Sequence, residues 1–463
     1  MYLADSRSTT SAAAPNTRSG RRPAVPGAVL SLGAVSLITD VSSEMVTAVL
    51  PLYVVAALGL SPLGFGLLDG INNGVGALVR LVGGHLADRG GRRHKVVAGL
   101  GYGLSALCKP LFLFVHTLPG ISAVLAADRT GKGLRTAPRD AMISLATRPE
   151  HRGRAFGVHR AMDTTGAMLG PLTAFAVLRA TVDGYDAVFA VSGCIAALGV
   201  LVLVLFVPRR ITAETAPTAT PGATPAAPPE PAPAATPATT SATAARGATP
   251  APSGPTLRDA LALLRRPGLR RLTLCAALLG LTTVSDAFLY LLLQRELRLP
   301  AHLFPLLPLG TAAAFLLLAV PMGALADRMG RLRLFLAGHG VLLLGYGLVL
   351  ARVHGAPVAV SVAVLVLHGA FYAATDGVLA AATSEAVPAA HQGAGQALVG
   401  TGQALARFAC SLAFGAGWSL WGGRRALAVT AVALTVSALV AWAVLRRNAG
   451  ATHTGAAHAE AST

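Results

Sequence analysis

The sequence contains little charge and few aromatic residues for its length. Only 13% of its 463 residues are Asp, Glu, Lys or Arg, and only 5% are Phe, Trp or Tyr. Soluble domains average about 25% charged residues, so this composition excludes an ordinary soluble globular protein. With 53% hydrophobic residues, the chain has the balance of a polytopic membrane protein.

Cysteine is also scarce, and its placement excludes several kinds of chemistry. The four cysteines are Cys108, Cys194, Cys275 and Cys410. Each lies in a separate apolar stretch without a CxxC pair, so we interpret them as small core residues and expect neither a disulfide nor a metal site. No Ser/His/Asp, Cys/His or metal-ligand spacing points to catalysis. We therefore expect no enzyme activity and no cofactor.

The net charge of +18 is spread along the chain instead of being gathered in one basic domain. This distribution excludes a nucleic-acid-binding protein and follows the positive-inside rule. Connections near 89–95, 148–154 and 328–333 are basic, whereas those near 58–62 and 116–121 contain no Lys or Arg. We expect the basic connections and both termini to face the cytoplasm, with the helices in the bacterial cytoplasmic membrane.

Twelve apolar stretches are long enough to span a bilayer, which requires about 20 residues each. They cover 28–56, 62–82, 96–116, 119–146, 153–178, 186–207, 270–294, 302–324, 333–352, 357–384, 393–418 and 425–445. The predicted fold class is an all-α polytopic membrane protein with twelve transmembrane helices.

Low-complexity segments divide the chain into two helical halves. The halves are residues 28–208 and 258–447, joined by a Pro/Ala/Thr-rich linker at 209–257. Such a composition has almost nothing to bury, so the linker is predicted to be disordered. The same is expected of the cytoplasmic tails, 1–27 and 448–463.

The two halves also repeat each other. GHLADRGGRR (84–93) matches GALADRMGRL (323–332), and PEHRGRAFG (149–157) echoes PAAHQGAGQ (388–396). Both pairs are offset by about 240 residues. Two pairs at nearly one offset indicate duplicated six-helix halves.

With this repeated loop, the sequence resembles transporters of the major facilitator superfamily, whose signature is G-x-L-A-D-R-x-G-R-R. The signature positions are Gly84, Asp88, Arg89, Gly91 and Arg92 in the first copy, and Gly323, Asp327, Arg328, Gly330 and Arg331 in the second. The resemblance implies two pseudo-symmetric halves, alternating access and a substrate site between them at mid-membrane. It also implies that the loop latches the cytoplasmic side, although a basic loop that only fixes topology remains the alternative.

A second motif lies in helix 5, where GAMLGP runs from Gly166 through Gly170 to Pro171. It is similar to the helix-5 motif of the superfamily's antiporters. The Gly pair that usually continues this motif is replaced by Ala174 and Phe175. Small residues four apart also allow close helix packing, so both interpretations stay open.

The stretch DRTGKGLRTAPRDAMI, residues 128–143, places charges at membrane depth. Asp128, Lys132, Arg135 and Arg139 follow the spacing i, i+4, i+7, i+11, which puts them on one helix face. Each such charge costs roughly 2.5–3.5 kcal/mol in the bilayer centre. This face therefore has to line the protein interior or a water-filled path.

Carboxylates and cations on helices 1, 2, 3 and 5 are available as partners. The candidate substrate or proton pathway comprises Asp40, Glu44, Asp69, Lys109, Asp128, Arg129, Lys132, Arg135, Arg160 and Asp163. Near the cytoplasm, Arg139 and Asp140 are predicted to pair with Asp88 in a gate, as the resemblance implies. In the second half, Asp286, Asp376 and Arg407 look isolated.

These observations predict a monomeric secondary active transporter for a small polar or charged solute, coupled to protons. The cations at mid-depth favour uptake of an organic anion, while GAMLGP favours efflux of drugs or metabolites. A hypothesis from a different functional class of protein is a membrane receptor or assembly factor that has the same fold but does not transport a solute.

Overall fold

The computed structural model of the protein describes residues 25–89, 94–148, 151–182, 184–208, 262–351, 357–387 and 392–460. Within these ranges the chain is almost entirely helical and has no strand. The first half contains α1 (Gly27–Leu52), α2 (Pro62–Arg89), α3 (His94–Leu111), α4 (Leu118–Ala146), α5 (Arg152–Ala180) and α6 (Gly184–Phe206). The second contains α7 (Pro267–Leu281), α8 (Asp286–Leu297), α9 (Leu306–Met329), α10 (Arg331–Leu350), α11 (Pro357–Ala386), α12 (Gln392–Trp421) and α13 (Gly423–Glu460).

Short helical turns connect some of these helices. A π-helix, Tyr53–Ala57, continues α1, and 3-10 turns lie at Leu263–Arg265 and Ala301–Leu303. If α7 and α8 are counted as the two parts of one interrupted helix, the described residues form six helical segments on each side of the linker. Seven segments are long and apolar enough to cross a membrane: α1 with its π-helix, α6, α7–α8, α9, α10, α11 and α13. The all-α fold expected from the sequence is confirmed.

The seventh helix is interrupted, although the apolar pattern had predicted one continuous helix over 270–294. The break covers Thr282 to Ser285, between the end of α7 and the start of α8. β-branched and hydroxyl side chains are poor helix formers, because they lose rotamer freedom or bond to nearby backbone groups. The Val284 amide leaves the helical pattern and donates to the Tyr346 hydroxyl at 3.0 Å.

The segments outside the two bundles are only partly described. The predicted disordered linker (209–257) and most of the first tail lie outside the described residues. At the other end, α13 continues to Glu460, so residues 448–460 are helical where a disordered tail was expected. Their sequence is rich in Ala, the strongest helix former, which accounts for the difference.

The two halves meet most closely where α2 crosses α12. A Cβ built on Gly415 of α12 would lie 2.6 Å from the carbonyl oxygen of Pro62, and one built on Gly66 would overlap the carbonyl oxygen of Ser411. Phe288 of the second half packs against Phe65 at this crossing, with the ring centroids 4.9 Å apart. Glycine is thus required on both helices for this contact.

The GAMLGP motif packs α5 against α1. A Cβ on Gly166 would lie 2.5 Å from the Leu37 carbonyl oxygen, and one on Gly170 would lie 2.9 Å from that of Val41. These glycines therefore bring the α5 backbone next to the α1 segment that carries Asp40 and Glu44.

Replacing Gly66 by Ala should push α2 away from α12 and lower the melting temperature of the purified protein. Overpacking of this kind costs about 1–3 kcal/mol. Gly76→Ala on the same helix is the matched control, because nothing lies within 4 Å of a Cβ built there. Helix propensity makes that change neutral or favourable by up to about 1 kcal/mol. Equal melting temperatures for the two variants would contradict the close contact.

Candidate functional site

The deepest charges of α4 form a buried ion pair with α3. Asp128 Oδ1 lies 2.8 Å from Lys109 Nζ and accepts a hydrogen bond from Ser105 Oγ at 2.5 Å. The Lys109 and Asp128 side chains are only 1% and 2% exposed. A Cβ on Gly131 would lie 2.7 Å from the Gly101 carbonyl oxygen. Small residues thus let α3 and α4 approach closely enough for the pair to form.

Arg129 extends this pair toward α1. Its Nη2 lies 3.5 Å from Asp128 Oδ2 and donates to Thr47 Oγ1 at 3.2 Å. The carboxylate thus receives charge-assisted hydrogen bonds or ion pairs on both oxygens.

The charged residues that share one face of α4 form what we call the α4 ladder: Asp128, Lys132, Arg135 and Arg139. The next two cations of this ladder bind the carboxylates of α1. Lys132 Nζ lies 3.2 Å from Glu44 Oε1 and 3.8 Å from Asp40 Oδ1. Arg135 Nη2 lies 3.2 Å from the same Asp40 oxygen, and its guanidinium stacks 4.5 Å from the centre of the Tyr102 ring. Lys132 remains 35% exposed, whereas Arg135 is buried.

The last cation of the ladder, Arg139, joins three elements. It lies 3.1 Å from Asp140, 3.6 Å from Asp163 on α5, and donates to Ser36 on α1 at 3.2 Å. The side chain of Asp88, its predicted gate partner, lies outside the described residues. Arg160 is exposed on α5.

Every cation in this cluster has a carboxylate within 4.0 Å. The five cations are Lys109, Arg129, Lys132, Arg135 and Arg139, and the five carboxylates are Asp40, Glu44, Asp128, Asp140 and Asp163. The cluster is therefore close to electrically neutral. This pairing removes the physical reason for expecting an organic anion at the helix-4 cations.

A cavity of about 230 Å³ lies between the two halves. Of the ten candidate pathway residues, which the structure all describes, only Glu44 and Asp69 line it, together with Pro171 of GAMLGP. The second half contributes the interruption between α7 and α8 and three chemically active side chains, Asp286, Tyr372 and Arg407. The α4 ladder thus lies behind the cavity wall instead of forming it.

Asp69 connects the halves directly across this cavity. Its Oδ1 accepts a hydrogen bond from Ser285 Oγ at 2.8 Å, and its Oδ2 accepts one from Ser411 Oγ. Ser285 is the first residue before α8, and the helix break frees its hydroxyl to reach α2. Asp69 is 6% exposed, and among the described residues no Lys, Arg or His lies within 4.0 Å of its carboxylate.

The expectation that Asp286 is isolated is wrong. Its Oδ1 lies 2.9 Å from His368 Nε2 and accepts the Tyr372 hydroxyl at 2.6 Å. Arg407 Cζ lies 5.9 Å from the centre of the Tyr372 ring. The i, i+4 spacing of His368 and Tyr372 was the available signal, since it puts both on one face of α11. Asp376, by contrast, is exposed.

The repeated loop motif is only partly described. Gly84, Asp88 and Arg89 lie on α2, although nothing is described of their side chains, and Gly91 and Arg92 lie outside the described residues. In the second copy, Gly330 has φ +89° between α9 and α10, a conformation that favours glycine. Arg331 Nη1 lies 2.5 Å from Glu385 Oε1 on α11. Gly323, Asp327 and Arg328 are exposed.

Asp128→Asn should destabilise the protein strongly, because it leaves the Lys109 ammonium buried without a counter-charge. Breaking a buried pair from one side costs about 3–5 kcal/mol. Adding Lys109→Met should recover part of the loss, since the remaining amide can still accept the Ser105 hydrogen bond, while Arg129 still lacks its carboxylate. Thermal unfolding of the single and double variants measures this coupling.

Lys132→Met is the matched control for these single and double variants, because the side chain of Lys132 is 35% exposed. Pairs of this kind contribute about 0–1 kcal/mol. A larger loss for Lys132→Met than for Asp128→Asn, or no rescue by the double variant, would contradict the assignment of the buried pair.

Comparisons with known proteins agree with this architecture. The family model described as Major Facilitator Superfamily matches residues 32–315 and 272–462. An uncharacterized MFS-type transporter of Methanocaldococcus jannaschii is 37% identical over 142 residues, which are 31% of this chain and 35% of that protein. The multidrug resistance protein MdtH of Photorhabdus laumondii is 31% identical over 178 residues, which are 36% of this chain and 40% of that protein. The matches thus span well under half the length of these relatives.

A solved structure matches over nearly the whole chain. The crystal structure of the nucleoside transporter NupG has a TM-score of 0.69 at 14% identity and covers 90% of this chain and 99% of that one. At this identity the likeness concerns the fold alone. The helical halves, the cavity between them and the family model across the chain together show that this membrane-embedded protein belongs to the Major Facilitator Superfamily.

Proposed function

We propose that the protein is a secondary active transporter that moves a small polar or charged solute by alternating access, coupled to protons. The observation that carries this proposal is the cavity of about 230 Å³ between the halves, with Asp69 of the first half bonded to Ser285 and Ser411 of the second. A carboxylate in this position can link the occupancy of a proton to the relative placement of the halves.

The chemistry of Asp69 supports the coupling. When it is ionised, both oxygens accept hydrogen bonds from serine hydroxyls, and such charge-assisted bonds are about twice as strong as neutral ones. When it is protonated, one oxygen becomes an O–H donor, and both bonds to the second half weaken or rearrange. Among the described residues no Lys, Arg or His lies within 4.0 Å of this buried carboxylate, and a buried charge without a close partner is costly. Proton uptake therefore loosens the bridge, and proton release restores it.

The orientation follows from the distribution of Lys and Arg. The positive-inside rule favours a cytoplasmic position for the 89–95 and 328–333 loops, both termini and the linker, in a bacterial cytoplasmic membrane. The outer end then contains the glycine contact between Pro62 and Gly415. The paired charge cluster keeps the first half rigid, so that this half moves as one body. The protein acts as a monomer.

Efflux of an amphiphilic compound is the second candidate. The multidrug resistance relative is similar over about a third of this chain. The cavity wall also includes aromatic and proline side chains, among them Tyr290, Phe304 and Pro308, which suit an apolar ligand surface. Both candidates use the same cavity and differ in the solute and in its direction of movement.

The experiment uses purified protein in vesicles loaded with the pH indicator pyranine. Solute gradients are imposed with amino acids, polyamines, dicarboxylates and the lipophilic cation tetraphenylphosphonium. At least one class should drive proton movement in the wild type. Asp69→Asn should abolish that proton movement and leave exchange of the same labelled solute across the membrane measurable, because the cavity remains.

Asp186→Asn, an exposed carboxylate at the start of α6, serves as the matched control and should behave like the wild type. Unchanged proton movement in Asp69→Asn would contradict the coupling role. Binding without any vesicle transport would instead favour a receptor on the same fold. Movement of tetraphenylphosphonium alone would favour efflux.

A further inference from the structure

Three charged groups of the cavity keep unused hydrogen-bonding capacity. Asp286 lines the cavity with its side chain 38% exposed, and both of its hydrogen bonds go to Oδ1. Glu44 contacts Lys132 through Oε1 and is 26% exposed. Within the part of the chain that the structure describes, the second oxygen of each carboxylate accepts no hydrogen bond. Two acceptor sites therefore remain open toward the cavity.

Arg407 provides the opposite charge. Among the described residues, no carboxylate lies within 4.0 Å of its guanidinium, and its contact is with the Tyr372 ring, 5.9 Å from Cζ to centroid. A guanidinium carries five N–H donors in a planar fork that matches a carboxylate. A cation at this depth without an anion is costly. The donors that are not engaged by Tyr372 are thus available to an anionic group in the cavity.

These groups lie on different halves of the molecule. Arg407 belongs to α12 and Asp286 to α8, both in the second half, while Glu44 belongs to α1 in the first. A purely anionic solute would meet Arg407 but also two carboxylates, and a purely cationic solute would meet the carboxylates but also Arg407. Only a solute with both charges satisfies all three groups.

We infer that the cavity binds a small zwitterion, with its anionic group on Arg407 and its ammonium group between Glu44 and Asp286. This inference rests on the proposed transport function and names its substrate class. Because Glu44 and Arg407 belong to opposite halves, one bound molecule contacts both moving bodies. The apolar wall formed by Phe304 and Pro308 would cover the carbon chain between the two charges.

Thermal unfolding of the purified protein with matched ligands tests the inference. The zwitterions are 4-aminobutanoate and 6-aminohexanoate, and each is compared at equal ionic strength with the amine and the carboxylate of the same chain length. At least one zwitterion should raise the melting temperature of the wild type, and neither singly charged analogue should do so. A ligand at 100 times its dissociation constant stabilises by about 2.7 kcal/mol when it binds only the folded state.

Variants assign the two charges. Arg407→Gln and Glu44→Gln should each weaken the apparent affinity at least tenfold. Arg407→Lys should give an intermediate loss, because it keeps the charge but not the planar fork. Arg424→Gln is the matched control: this arginine of the same half pairs with Glu296 at 3.5 Å and does not line the cavity. Melting temperatures without ligand show whether each variant is folded.

Several outcomes would overturn the inference. Equal stabilisation by the amines would make the cavity a cation site, and equal stabilisation by the carboxylates would make it an anion site. If no ligand shifts the wild type, Asp286 and Arg407 merely neutralise each other across the cavity. If a zwitterion binds through Arg407 and Glu44 but vesicles show no transport, the binding site stands and the proposed transport function fails.

Discussion

The cost of holding charge at membrane depth governs how this protein is built. The charged helix α4 is tolerated because each of its cations lies next to a carboxylate. Its most buried carboxylate, Asp128, is enclosed by Lys109, Arg129 and Ser105. Breaking such a pair leaves an uncompensated charge, so the partners hold α1, α3, α4 and α5 in a fixed arrangement. The first half gains a rigid interior from residues that would be costly separately.

Charges at the cavity between the halves are paired less completely than those of the α4 cluster. At the cavity, Asp69 accepts hydrogen bonds from two hydroxyls and Asp286 keeps one oxygen without a hydrogen bond. Among the described residues, no carboxylate lies within 4.0 Å of the Arg407 guanidinium. Incompletely satisfied polar groups are costly unless a ligand or a proton completes them. In the α4 cluster each cation has a carboxylate within 4.0 Å, whereas Asp69 and Arg407 at the cavity have no such counter-charge among the described residues. This contrast separates the charge-paired scaffold from the region where we propose that solute binds and moves. The interruption between α7 and α8 belongs to the second region, because it frees Ser285 to reach Asp69.

Helical periodicity predicted which charged residues share one face of a helix. Spacing alone placed Asp128, Lys132, Arg135 and Arg139 on one face and excluded lipid as their neighbour, and the repeated loop motif indicated two halves. Partner choice could not be predicted in the same way, because it depends on how far one helix slides along another. The pairing of Lys109 with Asp128 is set by the glycine contact between α3 and α4, which no spacing within either helix contains.

Contacts between helices of the second half could not be predicted from the sequence for the same reason. Asp286 and His368 are 82 residues apart and meet only after α8 and α11 pack together. The break in the seventh helix was hidden by apolar residues on both sides of it. The mid-depth cations of α4 suggested an anion site, but the folded chain pairs each of them with a carboxylate. Arg407, which was expected to be isolated, faces the cavity instead.

Distance measurements between the halves test the central claim that Asp69 controls their relative placement. Spin labels are attached at 56 and 301 near the outer end, and at 145 and 380 near the inner end, with the exposed Cys194 replaced by Ser. Double electron–electron resonance compares the wild type with Asp69→Asn, which mimics the protonated carboxyl. The account predicts that the two pairs shift in opposite directions in Asp69→Asn, one lengthening while the other shortens. Identical distributions in both proteins, or shifts in the same direction, would contradict it.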